Sequence, residues 1–190
     1  MRWDALFDDM EAQLASVERL ELEAEIAERS RADVAGVELA DRLRGSRGLR
    51  VGVHLASGSF FDGTLSHVGA ETLVLSDPYQ QVLIPYAAVS RYQGLGRLAM
   101  VEPSSVRRKL GLASALRGLA RDRADLSVCL VGGADGAAEL SGVIDRVGRD
   151  YFDLAVTRPG EARRAVNVSQ VATVPFSSLG ALRSLRRGEL

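Results

Sequence analysis

The sequence predicts a mainly β protein of two tandem five-stranded small barrels, each preceded by a helix, with a long helix in front of both. Three observations lead there. First, GTLSHVGAETLVL at 63–75 is echoed by GVIDRVGRDYFDL at 142–154, aligning Gly63, Leu65, Val68, Gly69 and Leu75 with Gly142, Ile144, Val147, Gly148 and Leu154. Second, the runs around both stretches alternate apolar and polar residues between Gly-, Pro- and Asp-containing breaks, as half-buried strands joined by turns do. Third, 2–29 holds neither glycine nor proline and spaces its apolar residues in steps of three and four.

That last stretch opens an N-terminal helical arm, 1–46. Trp3, Leu6, Met10, Gln13, Val17, Leu20, Ala24 and Ala27 form a heptad-like seam compatible with a coiled coil. A lone helix with so acidic an outer face would not be stable by itself, so the seam needs something to pack on. Gly36 and RGSRG at 44–48 close the helical region, with a separate short helix over 31–45.

The first barrel occupies 47–96. Val51, Val53 and Leu55 alternate with Gly52, His54 and Ala56, ASG at 56–58 makes a tight turn, and 60–68 is the return strand. Gly63 inside that strand predicts a bulge or bend. TLVL, VLIPY and AAVSRY supply the remaining strands. The region 97–124 is a basic linker helix that starts at Pro103, Ser104 and Ser105. Val106, Leu110, Leu112, Leu116 and Leu119 form its apolar face; Arg107, Arg108, Lys109, Arg117, Arg121 and Arg123 form its basic one. The second barrel and a C-terminal tail occupy 125–190, with LSVCLVGG as the first strand and turn and AVNVSQVATV near the end. The extra residues of this second copy fall at turns, as an internal duplication tolerates.

Composition narrows the classes of function. Of 190 residues 46% are apolar and 26% charged, the profile of a folded domain. No run reaches the roughly 20 apolar residues of a membrane helix, and MRWDALFDDMEAQ has no secretory character, so the expected location is cytoplasmic, without a membrane partner. Cys129 is the single cysteine and reads as a small buried hydrophobe. The net charge of −1 conceals an acidic arm, with nine acids and two arginines in 1–28, and a basic linker. Lys109 is the one lysine, an arginine bias typical of a GC-rich genome.

No catalytic or metal constellation emerges. His54 and His67 with one distant cysteine do not make a zinc set, and no base is placed beside a nucleophile. Asp145, Asp150 and Asp153 surround a glycine turn as a solvated edge would. QGLGRL and GGADG lack the Lys-Ser/Thr of a phosphate loop. The expectation is no cofactor and no metal.

A helix followed by five bent strands with a glycine in the second resembles the Sm-like small barrel over about 50–92 and 126–174; a Src-homology-3-like barrel would give much the same pattern. Gly63, Leu65, Val68 and Leu75 match the first Sm motif, but Gly69 replaces its Asp and its Asn is missing. Ile84, Val89 and Tyr92 match the second motif, with Pro85 and Tyr86 in place of Arg-Gly; Val166, Val171 and Val174 match in the second copy, with Asn167 and Val168 there. The resemblance therefore implies the shape without the family's uridine-reading residues. The whole chain also resembles a family from high-GC bacteria with a W-x-x-L-F start and tandem barrels, which implies no activity.

These readings converge on a non-catalytic binding protein, a protein–protein adaptor or scaffold. Trp3, Leu6, Met10, Val17 and Leu20 are the expected residues for partner docking or self-association. The alternative is RNA binding through phosphates on Arg107, Arg108, Lys109, Arg117 and Arg121, although 97–123 has no aromatic residue to stack a base. A small-molecule enzyme is the remaining alternative. Edge-to-edge joining of barrels predicts a closed oligomer.

Overall fold

The structure is a computed structural model. It describes residues 10, 13, 16, 19–25, 28, 34–105, 110–132, 138–158 and 164–185. The chain divides into two compact units, Met1–Glu38 and Leu39–Leu190.

The second unit is built on one ten-stranded antiparallel sheet. Its strands are β1 Arg50–Leu55, β2 Phe60–Val68, β3 Thr72–Ser76, β4 Gln80–Pro85, β5 Val89–Gln93, β6 Leu126–Leu130, β7 Glu139–Val147, β8 Tyr151–Val156, β9 Gln170–Pro175 and β10 Leu179–Leu185. They lie in the order β5-β1-β2-β3-β4-β10-β6-β7-β8-β9. Two helices, α1 Leu39–Gly45 and α2 Leu112–Arg121, precede the two halves of the sheet and pack on β2 and β7 respectively.

The strands form where the sequence alternates. Val51, Val53 and Leu55 are the buried face of β1, and Gly58, at φ +89°, turns the chain into β2. The expected bulge is displaced: Gly63 pairs regularly with Val51, and the register of β2 shifts two residues later, between Leu65 and His67. Ser66, the extra residue, sends its hydroxyl to the Val74 carbonyl at 3.1 Å. In β7 the shift falls between Ile144 and Arg146. Gly142 is needed for a different reason, since a Cβ there would lie 2.1 Å from the Ala155 carbonyl oxygen.

The two duplicated Sm-like barrels are not what forms. Strand β10 is hydrogen-bonded on both edges, to β6 and to β4, and an edge spent on a neighbouring half cannot close that half on itself. The sheet stays open, with β5 and β9 at its ends. The long N-terminal helix and the coiled coil are corrected too. The first helix traced end to end is α1, and Met10 and Leu20, seam positions that a coiled coil would bury, are 49% and 62% exposed.

In the linker, Ser105 is helical, 106–109 lie outside the described residues, Leu110 and Gly111 are not helical, and α2 follows. Traced from Leu112, it follows an extended Gly111 and has no cap from its own side chains. Instead Glu71, in the β2–β3 turn, accepts the Leu112 N–H at 2.9 Å, placing a carboxylate at the helix N-terminus where free donors and the helix dipole favour it.

Two apolar clusters fill the unit. One gathers Leu43, Val53, Leu65, Leu75 and Ile84; the other gathers Leu116, Val128, Ile144, Phe152 and Leu154. At the seam between halves the sheet feeds both. Along β4, Val82 and Ile84 enter the first cluster while Leu83 packs on the second; along β10, Ala181 enters the first while Leu179 and Leu182 enter the second.

Two tyrosines beside the first cluster set an alkaline limit. Burial pushes the Tyr92 hydroxyl up to about 12 and that of Tyr86 higher still. Tyr86 donates to the Gly69 carbonyl at 2.9 Å, whereas the buried Tyr92 hydroxyl has no partner. Below pH 10 both phenols are neutral, folded or unfolded. Above it the unfolded chain ionises first, so stability falls as pH rises from 10 through about 12. Denaturant unfolding should show Tyr92→Phe as stable as the native chain at pH 8, with a shallower loss between pH 10 and 11; an unchanged slope would remove Tyr92 from this account.

Candidate functional site

The pairing of β4 with β10 sets Leu182 against Leu83 and Arg183 against Val82. Alternation sends Leu182 into the second cluster and turns Arg183 to the opposite face, where Ala181 and Val82 also lie. On that face a groove of about 350 Å³ runs across the seam.

Strands from both halves supply its walls. Phe61 and Asp62 come from β2, Gln80 from β4, Cys129 from β6, Glu139 from β7 and Arg183 from β10. Arg183 bonds the Glu139 carboxylate at 3.2 Å, and its guanidinium carbon sits 5.8 Å from the centre of the Phe61 ring. Ser127 also donates to Glu139, and Arg50 pairs with Asp62. Asp77 accepts the N–H groups of Tyr79 and Gln80, both at 2.8 Å, which closes the turn into β4.

Both arginines of the groove are therefore paired with a carboxylate, and its third carboxylate, Asp77, is held by the turn. Cys129 is buried with its Sγ 3.9 Å from Ser59 Oγ, and no histidine lines the groove. His54 stands on the exposed side of β1, its ring 4.5 Å from that of Phe60 and its Nε2 3.4 Å from Arg91 Nη2. Among the described residues no group of three His, Cys, Asp or Glu side chains is placed to hold a metal ion.

Of the binding residues singled out from the sequence, the described ones do not line this groove. Trp3, Leu6, Val17, Arg107, Arg108 and Lys109 lie outside the described residues, and Met10 and Leu20 belong to the first unit. Arg117 and Arg121 stand on α2, where Arg117 donates to the Gly148 carbonyl at 3.3 Å and Arg121 is exposed. Sequence reasoning missed Arg183 and Glu139. The signal for Arg183 was present in GALRSL at 180–185, whose alternation marks a strand, but that segment reads as a tail when each half is counted separately.

Apolar packing, more than the visible ion pair, secures the seam. Leu182 is fully buried, and truncating such a leucine costs about 2–5 kcal/mol. The side chains of Arg183 and Glu139 are 37% and 50% exposed, where an ion pair contributes roughly 0–1 kcal/mol. Equilibrium unfolding should therefore show Leu182→Ala losing several times more stability than Glu139→Gln; equal losses would make the ion pair the principal tie. No protein-family model matches the chain and no curated protein matches it, so the comparisons lend no support to the Sm-like resemblance or to a high-GC bacterial source.

Proposed function

We propose that this chain is a non-catalytic protein–protein adaptor or scaffold of the cytoplasm, and that it joins copies of itself or its partners through the free edges of its sheet. The observation that carries this reading is β9. It ends the ten-stranded order, and its residues Gln170 to Val174 carry no charge, with Val171 59% exposed. Proteins usually blunt a free edge with charges, prolines or bulges, because its unpaired N–H and C=O groups are a template for another strand. Here the one blunting residue, Pro175, sits at the end. The opposite end strand, β5, carries Arg91.

The seam within the chain supplies the pattern for such a contact. The fourth strand of the first half, β4, pairs antiparallel with the last strand of the second, β10. At the two ends of the sheet the corresponding places belong to β9 and β5, so β9 of one copy against β5 of the next repeats the same kind of pairing. The open ends make this a heterologous contact, which propagates as a ring or a filament. A single buried free cysteine agrees with a reducing compartment. RNA binding has less behind it, because Arg117 already spends a donor on a backbone carbonyl.

The test uses backbone chemistry. Phe176 N–H donates to the Asp150 carbonyl across β8, so by alternation the N–H groups of Val174 and Ala172 face β8, and those of Thr173 and Val171 face outward. Val171→Pro removes an outward donor and leaves the β8 ladder intact. Light scattering behind size exclusion should find the native chain associating with concentration and Val171→Pro remaining a monomer of unchanged melting temperature. A native chain that stays monomeric while it binds RNA in a steeply salt-dependent way would replace this reading with the nucleic-acid one.

A further inference from the structure

A second pocket has a different character. It measures about 280 Å³ and is formed by Arg44, Arg47, His67, Val68, Glu102 and Leu110, together with the segment from Met100 to Pro103. Its wall is built, not incidental. The segment after β5 is strapped to α1: Arg42 Nε donates to the Gly96 carbonyl, Gly96 N–H donates to Ser46 Oγ at 3.0 Å, and Met100 N–H donates to the Asp41 carbonyl at 2.9 Å. Gly45 permits this approach, since a Cβ there would lie 2.2 Å from the Leu98 carbonyl oxygen. On the other side, the Glu71 contact with α2 fixes the chain just beyond Leu110.

The lining combines two features that ask for opposite parts of one ligand. Met100, Val101 and Leu110 are apolar and more than half exposed. Arg44, by contrast, is only 9% exposed; it pairs with Asp41 through Nη1, while its Nε has no hydrogen-bond partner. A buried guanidinium donor without an acceptor is costly, and an added anion relieves that cost. Arg47 brings a second positive charge, and Glu102, the one carboxylate of the lining among the described residues, accepts the Ser104 N–H at 3.0 Å.

We propose that this pocket binds a medium-chain aliphatic carboxylate, its head group held by Arg44 and Arg47 and its tail laid on Val68, Met100, Val101 and Leu110. The volume, near the lower limit of ligand pockets, suits a chain of this length rather than a larger lipid. The proposal is independent of the sheet-edge reading, because neither β5 nor β9 lines the pocket.

The experiment is calorimetric titration of the full chain with octanoate, hexanoate and octanol. Octanoate should saturate a single site. Hexanoate should bind roughly fifteenfold more weakly, two methylenes at about fourfold each, and octanol at least tenfold more weakly for want of the charge. Arg47 and Val101 are exposed, so Arg47→Gln and Val101→Asp should keep the melting temperature while weakening octanoate by about tenfold and abolishing its binding, respectively. No saturable octanoate binding at millimolar concentration, octanol equal to octanoate, or an affinity that neither substitution moves would each overturn the assignment. So would tighter binding of an apolar tripeptide through its C-terminal carboxylate, which would make the occupant a peptide.

Discussion

The antiparallel pairing of β4 with β10 is the contact on which the rest of this molecule depends. It is a short ladder, Leu182 against Leu83 through Leu185 against Gln80, yet it converts two five-stranded halves into one sheet. Because side chains alternate across a strand, the same ladder delivers Val82 and Ala181 to one core and Leu83 and Leu182 to the other. A register slip of one residue would exchange those assignments and leave Arg183 facing the second core. Register is thus fixed by two cores at once, a stronger specification than a sheet with one wet face receives.

Each half also has its own clamp. In the first, α1 lies on β2 and is tied by Ser46 and Asp41 to the segment after β5. In the second, α2 lies on β7 and takes its cap from Glu71, a residue of the other half. The halves are therefore connected through a helix terminus as well as through the strand seam. Three surface features follow from these ties: the seam creates the groove, the α1 strap creates the Arg44 pocket, and β5 and β9 end the sheet among the described residues.

The strands themselves were legible, because period-two alternation such as Val51, Val53, Leu55 is a local signal of burial. Closure was not. Whether β10 pairs with one neighbour or two is decided by hydrogen bonds between segments roughly a hundred residues apart, and nothing in GALRSL distinguishes an edge strand from an interior one. The start of α2 was hidden for a related reason: its cap, Glu71, belongs to a distant turn. The groove residues Arg183 and Glu139 become neighbours only through the seam, so no motif spacing could have joined them. The Arg44 pocket was equally hidden, since RGSRG reads as a helix stop and not as a cation held beneath a strap.

The order of strands has a consequence for how the chain is made. Strand β4 is complete at Pro85, but its partner β10 begins at Leu179 and is the last strand among the described residues. At ribosomal rates of about 5–20 residues per second, the first half waits on the order of ten seconds with the β4 edge uncovered. During that interval the nascent chain presents Val82, Leu83 and Ile84 on an unpaired strand, the situation in which chains emerging side by side exchange partners. A β10 donated from a neighbouring chain would satisfy the same hydrogen bonds and the same two cores. The seam that unifies the native chain is thus also the place where assembly during translation, in cis or in trans, is decided.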